Sequence, residues 1–278
     1  MNTDMAMKKK SVLSQKWRAY NRGLSEWRRV IASLMYREAK TSWGEHSLGI
    51  VWAFLEPISH ILILYFIRVI IRGANTEHGE ISTFLFLGSG LFPFFLFRNV
   101  FSKTLNCISG NRALLVFPQI KILDFVIARS LLELMTYGWS FFIFILCLAW
   151  FEGGIPILNI YHIVLGFLYI WLLGIGLGLT ILPIHGKFKI VDEIFGVGLR
   201  ILYFLSGVMF SFIDAPVALR EYLAYIPTFH AIEYVRSGFG HVYGEYVDTN
   251  YIGLWAALLI MCGILLVKRY KAFILNVK

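Results

Sequence analysis

Residues 161–183 have the sequence YHIVLGFLYIWLLGIGLGLTILP, in which 23 consecutive positions carry no Asp, Glu, Lys or Arg. A helix that crosses about 30 Å of hydrocarbon needs about 20 mostly apolar residues. This stretch meets that requirement, and five further apolar stretches are read as spans in the same way: 48–71, 82–101, 122–151, 194–212 and 251–270. The sequence therefore predicts an all-α membrane protein with six transmembrane helices.

The composition agrees with a bilayer as the solvent. Of 278 residues, 58% are hydrophobic and 15% are charged, and the mean hydropathy is +0.68. A soluble domain of this length needs roughly a quarter of charged residues to cover its surface. We assign 48–272 to the membrane domain, 1–47 to a cytoplasmic tail and 273–278 to a second tail. The cysteines lack CxxC spacing and are predicted to be small buried hydrophobes.

The distribution of basic residues predicts the orientation. Of 26 Lys and Arg, 19 fall in segments on the side of the N-terminus and three, Arg72, Arg220 and Arg236, fall on the other side. Loops rich in Lys and Arg stay in the cytoplasm, so we expect both termini there. The net charge of +9 then reflects topology and contact with anionic lipids, and nucleic acid need not be invoked.

Two flanking stretches predict further helices. Residues 24–43 place apolar side chains on one stripe and basic ones elsewhere, which is typical of a helix lying in the cytoplasmic interface. It serves either as a lipid anchor or as a lever that touches a cytoplasmic partner. In 213–250, Asp214 and Pro216 form a helix-start signal. There we predict two short helices that dip into the outer leaflet, with a surface cap as the alternative.

Charged residues inside membrane spans are costly and are usually paired or functional. Glu56 and His60, like Arg129 and Glu133, are four residues apart and share a helical face. We prefer a structural network over direct ligand contact or a proton relay, with these members: Glu56, His60, Arg129 and Glu133. Arg68 and Arg98 lie near span ends, where snorkelling to the headgroups accounts for them.

Arg200 lies about two turns into the fifth span. A guanidinium with neighbouring aromatic rings suits an anionic sugar, since the rings stack on the sugar faces and the cation meets the carboxylate. Packing in the core or against lipid is the alternative. The candidate substrate pathway comprises Trp52, Tyr65, Phe66, Arg68, Arg200, Tyr203, Phe204 and Phe210.

Several chemical motifs are missing from the sequence. It contains no GxxxxGK[ST], HExxH, GxSxG or CxxC pattern, so we predict no catalytic residue, no metal site and no nucleotide site. If transport uses ATP, another chain must hydrolyse it.

Several stretches carry a family resemblance: REAKTSWGEHS (37–47), LGIVWAFLEPISHILIL (48–64), GLFPFFLF (90–97), ARSLLE (128–133), LYFLSGVMF (202–210) and PTFHAIEYVRSGFG (227–240). The chain resembles ABC exporter permeases for polysaccharides, and it is most similar to the capsular branch. The resemblance implies a homodimer of six-span subunits with two ATPase subunits in the bacterial inner membrane. A lipid-linked, acidic polysaccharide would move through a channel at the dimer interface, lined by the first and fifth spans.

The resemblance also implies roles for the connecting segments. The loop 102–121 would be the coupling helix, with Asn111, Arg112 and Phe117 as ATPase contacts, and the two short outer helices would form a periplasmic gate. ATP and Mg would be bound by the ATPase, with no cofactor in this chain. Further partners would be membrane lipids and periplasmic and outer-membrane export proteins. Arg68 and Arg98 depart from the family pattern.

Three other functions differ from this one in cargo, chemistry or energy source. An O-antigen or teichoic-acid ABC export permease keeps the architecture and changes the cargo. A membrane-embedded acyl- or glycosyltransferase would need acidic or histidine residues at one membrane face, whereas Glu56, His60 and Glu133 lie inside spans. A proton-driven carrier is disfavoured because no inverted repeat is recognisable.

Overall fold

The computed structural model describes residues 2–43, 49–72, 81–108, 111–117, 120–185, 188, 190–241 and 247–276. Its regular elements are helices: α1 (Asn2–Trp43), α2 (Gly49–Arg72), α3 (Thr83–Leu105), a 3₁₀ helix (Arg112–Val116), α4 (Ile122–Glu152), α5 (Ile160–His185), α6 (Ile190–Leu205), α7 (Val217–Leu223), α8 (Pro227–Ser237), α9 (Thr249–Arg269) and α10 (Lys271–Asn276).

In the part of the chain that the structure describes, four helices are long and apolar enough to cross a membrane: α3, α4, α5 and α9. They coincide with four of the predicted spans. In α2 the apolar segment is the shorter Phe54–Ile67, and α6 has 16 residues. At 1.5 Å per residue, α6 is about 24 Å long, less than the hydrocarbon thickness of about 30 Å. A helical membrane protein is thus confirmed, whereas the count of six spans stays a prediction.

The end of α6 differs from the sequence prediction. The fifth span was expected to reach residue 212, but α6 ends at Leu205. Gly207 has a φ of 73°, and a glycine in this left-handed conformation commonly terminates a helix. A Cβ at this position would lie 2.5 Å from Cε2 of Phe229. The chain therefore leaves the helix here and runs without regular structure until α7.

The core of the bundle is built around α3. Every residue from Leu85 to Phe97 is buried, and α2, α4, α5 and α8 all pack against this helix. A helix that is apolar all round is typical of such a central position. Elsewhere, α5 and α9 approach closely because glycines lie between them, and a Cβ on Gly263 would lie 2.5 Å from Cβ of Leu179. Small residues at helix contacts of this kind favour close packing in membranes.

Two short helices occur where the sequence predicted them, between α6 and α9. Most of α7 is exposed, with the exception of Leu223 and a few half-buried neighbours. In contrast, α8 is buried from Thr228 to Ser237 and packs against α3, α5 and α9. Pro227 at the first helical turn costs α8 no hydrogen bond, since that N–H would have no helical partner. The pair therefore consists of one surface helix and one helix inside the bundle.

The N-terminal helix α1 packs on α4. Ile31 and Leu34, which belong to the apolar stripe predicted from the sequence, are buried in the core. The prediction for the cysteines was only partly correct, because Cys107 is buried but Cys147 and Cys262 are exposed. Cys147 lies on α4 and Cys262 on α9.

Candidate functional site

Two helices carry long exposed apolar stripes. On α6 the exposed side chains recur every three or four residues and therefore share one face: Ile190, Ile194, Val197, Ile201 and Phe204. On α2 the same spacing relates Trp52, Leu55, Leu62 and Phe66. Part of α3 lies behind α6, where the Phe101 and Phe195 rings are 5.5 Å apart. These stripes on α2 and α6 form the candidate pathway surface.

Arg200 is exposed on α6, ten residues after Ile190, which is about 15 Å along the helix axis. Within the described residues it makes no hydrogen bond or ion pair. A Cβ added at Gly196 or Gly198 would meet nothing within 4 Å, so the space beside this part of α6 is open. An arginine facing hydrocarbon at mid-depth costs about 2.5–3.5 kcal/mol or more. The open space beside Arg200 is therefore suited to water or an anionic partner.

Of the three predicted aromatic residues near Arg200, one, Phe204, lies on the candidate pathway surface. Phe204 is 56% exposed, and its ring is 5.3 Å from that of Tyr203. Tyr203 is half-buried because its ring packs edge-on against Phe94 at 5.2 Å. Phe210 follows the end of α6 and packs against Phe229 on α8 at 6.0 Å, so it lies away from the surface.

The predicted pathway residues of α2 are divided in the same way. Trp52 is 65% and Phe66 60% exposed, and both belong to the stripe. Tyr65 is half-buried, since its ring stacks on Phe84 with centroids 4.3 Å apart. The side chain of Arg68 lies outside the described residues.

Arg98 and Glu56 form an ion pair between α3 and α2. Nη2 of Arg98 lies 2.5 Å from Oε1 of Glu56, and the two side chains are 33% and 24% exposed. The guanidinium also lies 4.6 Å from the ring centroid of Phe95. His60 contacts the same region, with Nδ1 3.0 Å from the Glu56 carbonyl oxygen. Arg98, which was predicted to snorkel to the headgroups, is instead held by a carboxylate on the neighbouring helix.

Arg129 has a different partner. Its Nε lies 2.8 Å from Oε1 of Glu38 on α1, and its Nη1 donates to the Asn106 carbonyl oxygen at 2.6 Å. Glu133 lies one turn further along α4 and is half-buried. The four residues predicted to form one network are thus divided. Glu56 pairs with Arg98 and Arg129 pairs with Glu38, because each arginine meets a carboxylate on an adjacent helix.

In the loop between α3 and α4, two of the three predicted ATPase contacts are exposed and one is buried. Asn111 is 3% exposed, its Nδ2 donates to the Cys107 carbonyl oxygen at 2.9 Å, and its Oδ1 accepts from Arg37 of α1. Arg112 and Phe117 are exposed. The amide of Asn111 therefore shapes the loop from inside and joins it to α1, while Arg112 and Phe117 are available on its surface.

A buried ion pair in α8 was not anticipated from the sequence. The side chains of Glu233 and Arg236 are both fully buried, with Nη1 of Arg236 2.8 Å from Oε1 of Glu233. Arg236 also donates to the Val208 carbonyl oxygen at 2.9 Å and lies 3.8 Å from the ring centroid of Phe86. Two opposite charges three residues apart in a short apolar segment were the available signal. The pair joins α8 to α3 and to the chain that follows α6.

His241 borders this ion pair. Its Nε2 lies 2.8 Å from Oγ of Ser211, whose hydroxyl donates to Glu233 at 3.2 Å. Burial and the nearby guanidinium of Arg236 lower the pKa of His241 from its usual 6.5 to about 4. The imidazole is therefore neutral at pH 7.

Comparison with known proteins gives the family. No family model matches the chain. The polysialic acid transport protein KpsM of Escherichia coli is 30% identical over 250 residues, which cover 89% of this chain and 95% of KpsM. The capsule polysaccharide export inner-membrane protein CtrC of Neisseria meningitidis is 29% identical over 88% of this chain and 92% of its own length. BexB of Haemophilus influenzae, which carries the same description, is 24% identical over 87% and 91%. The chain therefore belongs to the family of capsule polysaccharide export inner-membrane proteins.

Proposed function

We propose that this chain is the transmembrane subunit of an ABC exporter that moves a lipid-linked, acidic capsular polysaccharide from the cytoplasm to the periplasm. Two copies would form the channel between their α2 and α6 surfaces. The named relatives concern capsule polysaccharide or polysialic acid, which favours capsule over O-antigen or teichoic acid as cargo. The relation to proteins described as inner-membrane proteins supports the same location.

The exposure of Arg200 is the observation on which the proposal depends. Its guanidinium is exposed on α6 without a partner among the described residues, at a depth where lipid would penalise it. The exposed side chains of α9 at comparable positions, such as Leu258 and Met261, are apolar. A water-filled channel that carries an anionic polymer accounts for the exposed arginine on α6, because it supplies both water and carboxylates.

The proposed topology has six spans. The apolar segment of α2 is too short to cross the membrane alone, so the residues at both ends of this helix would complete the crossing. In the same way, α6 would cross together with the irregular segment 206–212. Both termini lie in the cytoplasm under the positive-inside rule. α7 and α8 would then lie at the periplasmic end and gate the channel exit. Periplasmic and outer-membrane export proteins would receive the polymer there.

Energy would come from two partner ATPase subunits, which bind ATP and Mg. The exposed Arg112 and Phe117 are the proposed contacts, with Asn111 supporting the loop from behind. Replacing Arg112 by Glu reverses a charge on this surface. We expect the ATPase to be lost on purification of the complex, or its turnover to become independent of substrate. Normal co-purification with normal substrate stimulation would contradict the coupling role.

The transport role is tested by complementation. Cells that lack this chain are expected to accumulate polysaccharide in the cytoplasm, and Arg200→Ala should restore surface polysaccharide only in part while the protein level in the membrane is unchanged. Arg28→Ala removes an equal charge from the exposed surface of α1 and serves as the control. Full surface polysaccharide with Arg200→Ala would refute the pathway assignment. Mass spectrometry of glycolipid that co-purifies with the exporter identifies the cargo.

A further inference from the structure

Arg98 opens a polar window in an otherwise buried helix. From Leu85 to Phe101, every residue of α3 is buried except Arg98 and Asn99. Asn99 is largely engaged, since its Nδ2 donates to the hydroxyl of Tyr137 at 2.7 Å. Arg98 keeps a third of its side chain accessible. One guanidinium, that of Arg98, is therefore partly exposed at the contact between α3 and α2.

Ring contacts between α3 and α6 place Arg98 at the level of Arg200. Phe101 contacts Phe195, with centroids 5.5 Å apart, and Phe94 contacts Tyr203 at 5.2 Å. Because the two helices run in opposite directions, position 98 on α3 lies opposite positions 198–200 on α6. The two arginines are thus at the same depth, although they lie on different helices.

We propose that Arg98 is a second anion-binding residue of the pathway and that Glu56 is its built-in competitor. This inference rests on the proposed export function and deepens it. At rest the Glu56 carboxylate neutralises Arg98 at 2.5 Å. A carboxylate of an acidic sugar replaces Glu56 on Arg98 as the polymer passes, while Arg200 binds another group at the same depth.

Competition from Glu56 would let the site release the polymer as well as bind it. A bare guanidinium in a surface of low dielectric would hold a polyanion strongly, and a conducting site must also release what it binds. Exchange of one carboxylate for another keeps the number of ion pairs constant. Arg98 is therefore never left unpaired, and the displaced Glu56 carboxylate, whose side chain is 24% exposed, is left to the water of the pathway. The partial exposure of both partners allows the exchange without unfolding of either helix.

Binding to the full chain in lipid nanodiscs tests the proposal. The probes are fluorescently labelled polysialic acid, a polyanion, and dextran of matched length, which is neutral. Arg98→Gln should weaken binding of polysialic acid about tenfold, as expected for loss of one hydrogen-bonded charge contact. Glu56→Gln should strengthen it several-fold, because the competing carboxylate is removed. Arg29→Gln on the exposed part of α1 is the control and should leave binding unchanged.

The Glu56→Gln variant distinguishes an anion-binding role of Arg98 from a purely structural ion pair. If Arg98 and Glu56 merely held α3 to α2, both substitutions would weaken binding or leave it unchanged. If Arg98→Gln does not fold, Glu56→Gln decides alone: tighter binding supports the proposal, and equal or weaker binding overturns it. Dextran binding that changes in parallel with polysialic acid binding would also overturn it.

The proposed function can survive failure of this inference. If wild-type and both variants bind polysialic acid equally, while loss of the chain abolishes surface polysaccharide, Arg98 has no role in binding and the exporter assignment stands. If wild-type chain does not bind the polyanion and its loss leaves surface polysaccharide unchanged, both proposals fail.

Discussion

Replacing Arg236 by Gln is expected to destabilise the bundle strongly. Arg236 is fully buried, and its guanidinium serves three parts of the chain: Glu233 on its own helix, the Val208 carbonyl oxygen after α6 and the Phe86 ring on α3. A Cβ on Gly90 would lie 2.6 Å from Nη2 of Arg236, so the guanidinium fills a space that α3 leaves for it. Glutamine is shorter and neutral and cannot serve all these contacts.

The size of the effect follows from burial of the pair. With Arg236 removed, the Glu233 carboxylate stays at 0% exposure without its cation. Removing one partner of a buried ion pair costs about 3–5 kcal/mol, whereas removing both is much less harmful. At roughly 2–4 °C per kcal/mol, the apparent unfolding temperature should fall by about 6–20 °C. The double variant Glu233→Gln/Arg236→Gln should recover a large part of this loss.

Thermal unfolding in detergent, followed by intrinsic fluorescence and by the fraction that remains monodisperse, measures the shift. Arg220→Gln is the matched control, because within the described part of the chain Arg220 donates only to the Ala215 and Ile213 carbonyl oxygens. Its loss should cost about 1 kcal/mol. Equal shifts for Arg236→Gln and Arg220→Gln, or a double variant less stable than Arg236→Gln, would refute the argument from burial.

Three further predictions concern other parts of the fold. Gly207→Ala should lower the free energy of unfolding by about 1–3 kcal/mol, because alanine is strained at positive φ and its Cβ would overpack against Phe229. Gly23→Ala is the control and should not destabilise, because a Cβ there meets nothing within 4 Å. Equal unfolding temperatures for the two variants would contradict this. As the pH falls from 6.5 to about 4, the free energy of unfolding should decrease, because the unfolded chain protonates His241 before the folded chain does. His241→Asn should reduce this dependence of stability on pH. An unchanged dependence would show that His241 does not cause it. Glu38→Gln and Arg129→Gln should each weaken the attachment of α1 to α4, with a coupling of about 0.5–3 kcal/mol in the double variant; strictly additive losses would argue against the pair.

The helices were predictable from sequence to a large extent. Apolar runs located α3, α4, α5 and α9, because the hydropathy that a bilayer requires is a property of consecutive residues. The helix-start signal of Asp214 and Pro216 likewise indicated the two short helices between α6 and α9. The end of α6 was not predictable in this way, since the apolar composition continues past Leu205. There the conformation of Gly207, fitted against Phe229, ends the helix.

Partners of the charged residues required the tertiary structure. The sequence drew attention to Glu56, Arg98 and Arg129 because charges are rare in membrane helices, but spacing along one helix suggested the wrong neighbours. The rotation of each helix and the identity of the helix beside it decide that Arg98 meets Glu56 and that Arg129 meets Glu38. These choices arise from side-chain packing over long separations, on which a local pattern carries no information.

Composition and the order of apolar and basic segments thus establish a helical membrane protein and the expected sides of its loops, because insertion into a bilayer depends on local hydropathy and charge. The structure alone shows that α3 is the buried centre, that α8 enters the bundle around Glu233 and Arg236, and that Arg200 stays exposed. Burial is a relation between helices. Only their packing distinguishes a charge held inside the protein from a charge left open for a substrate.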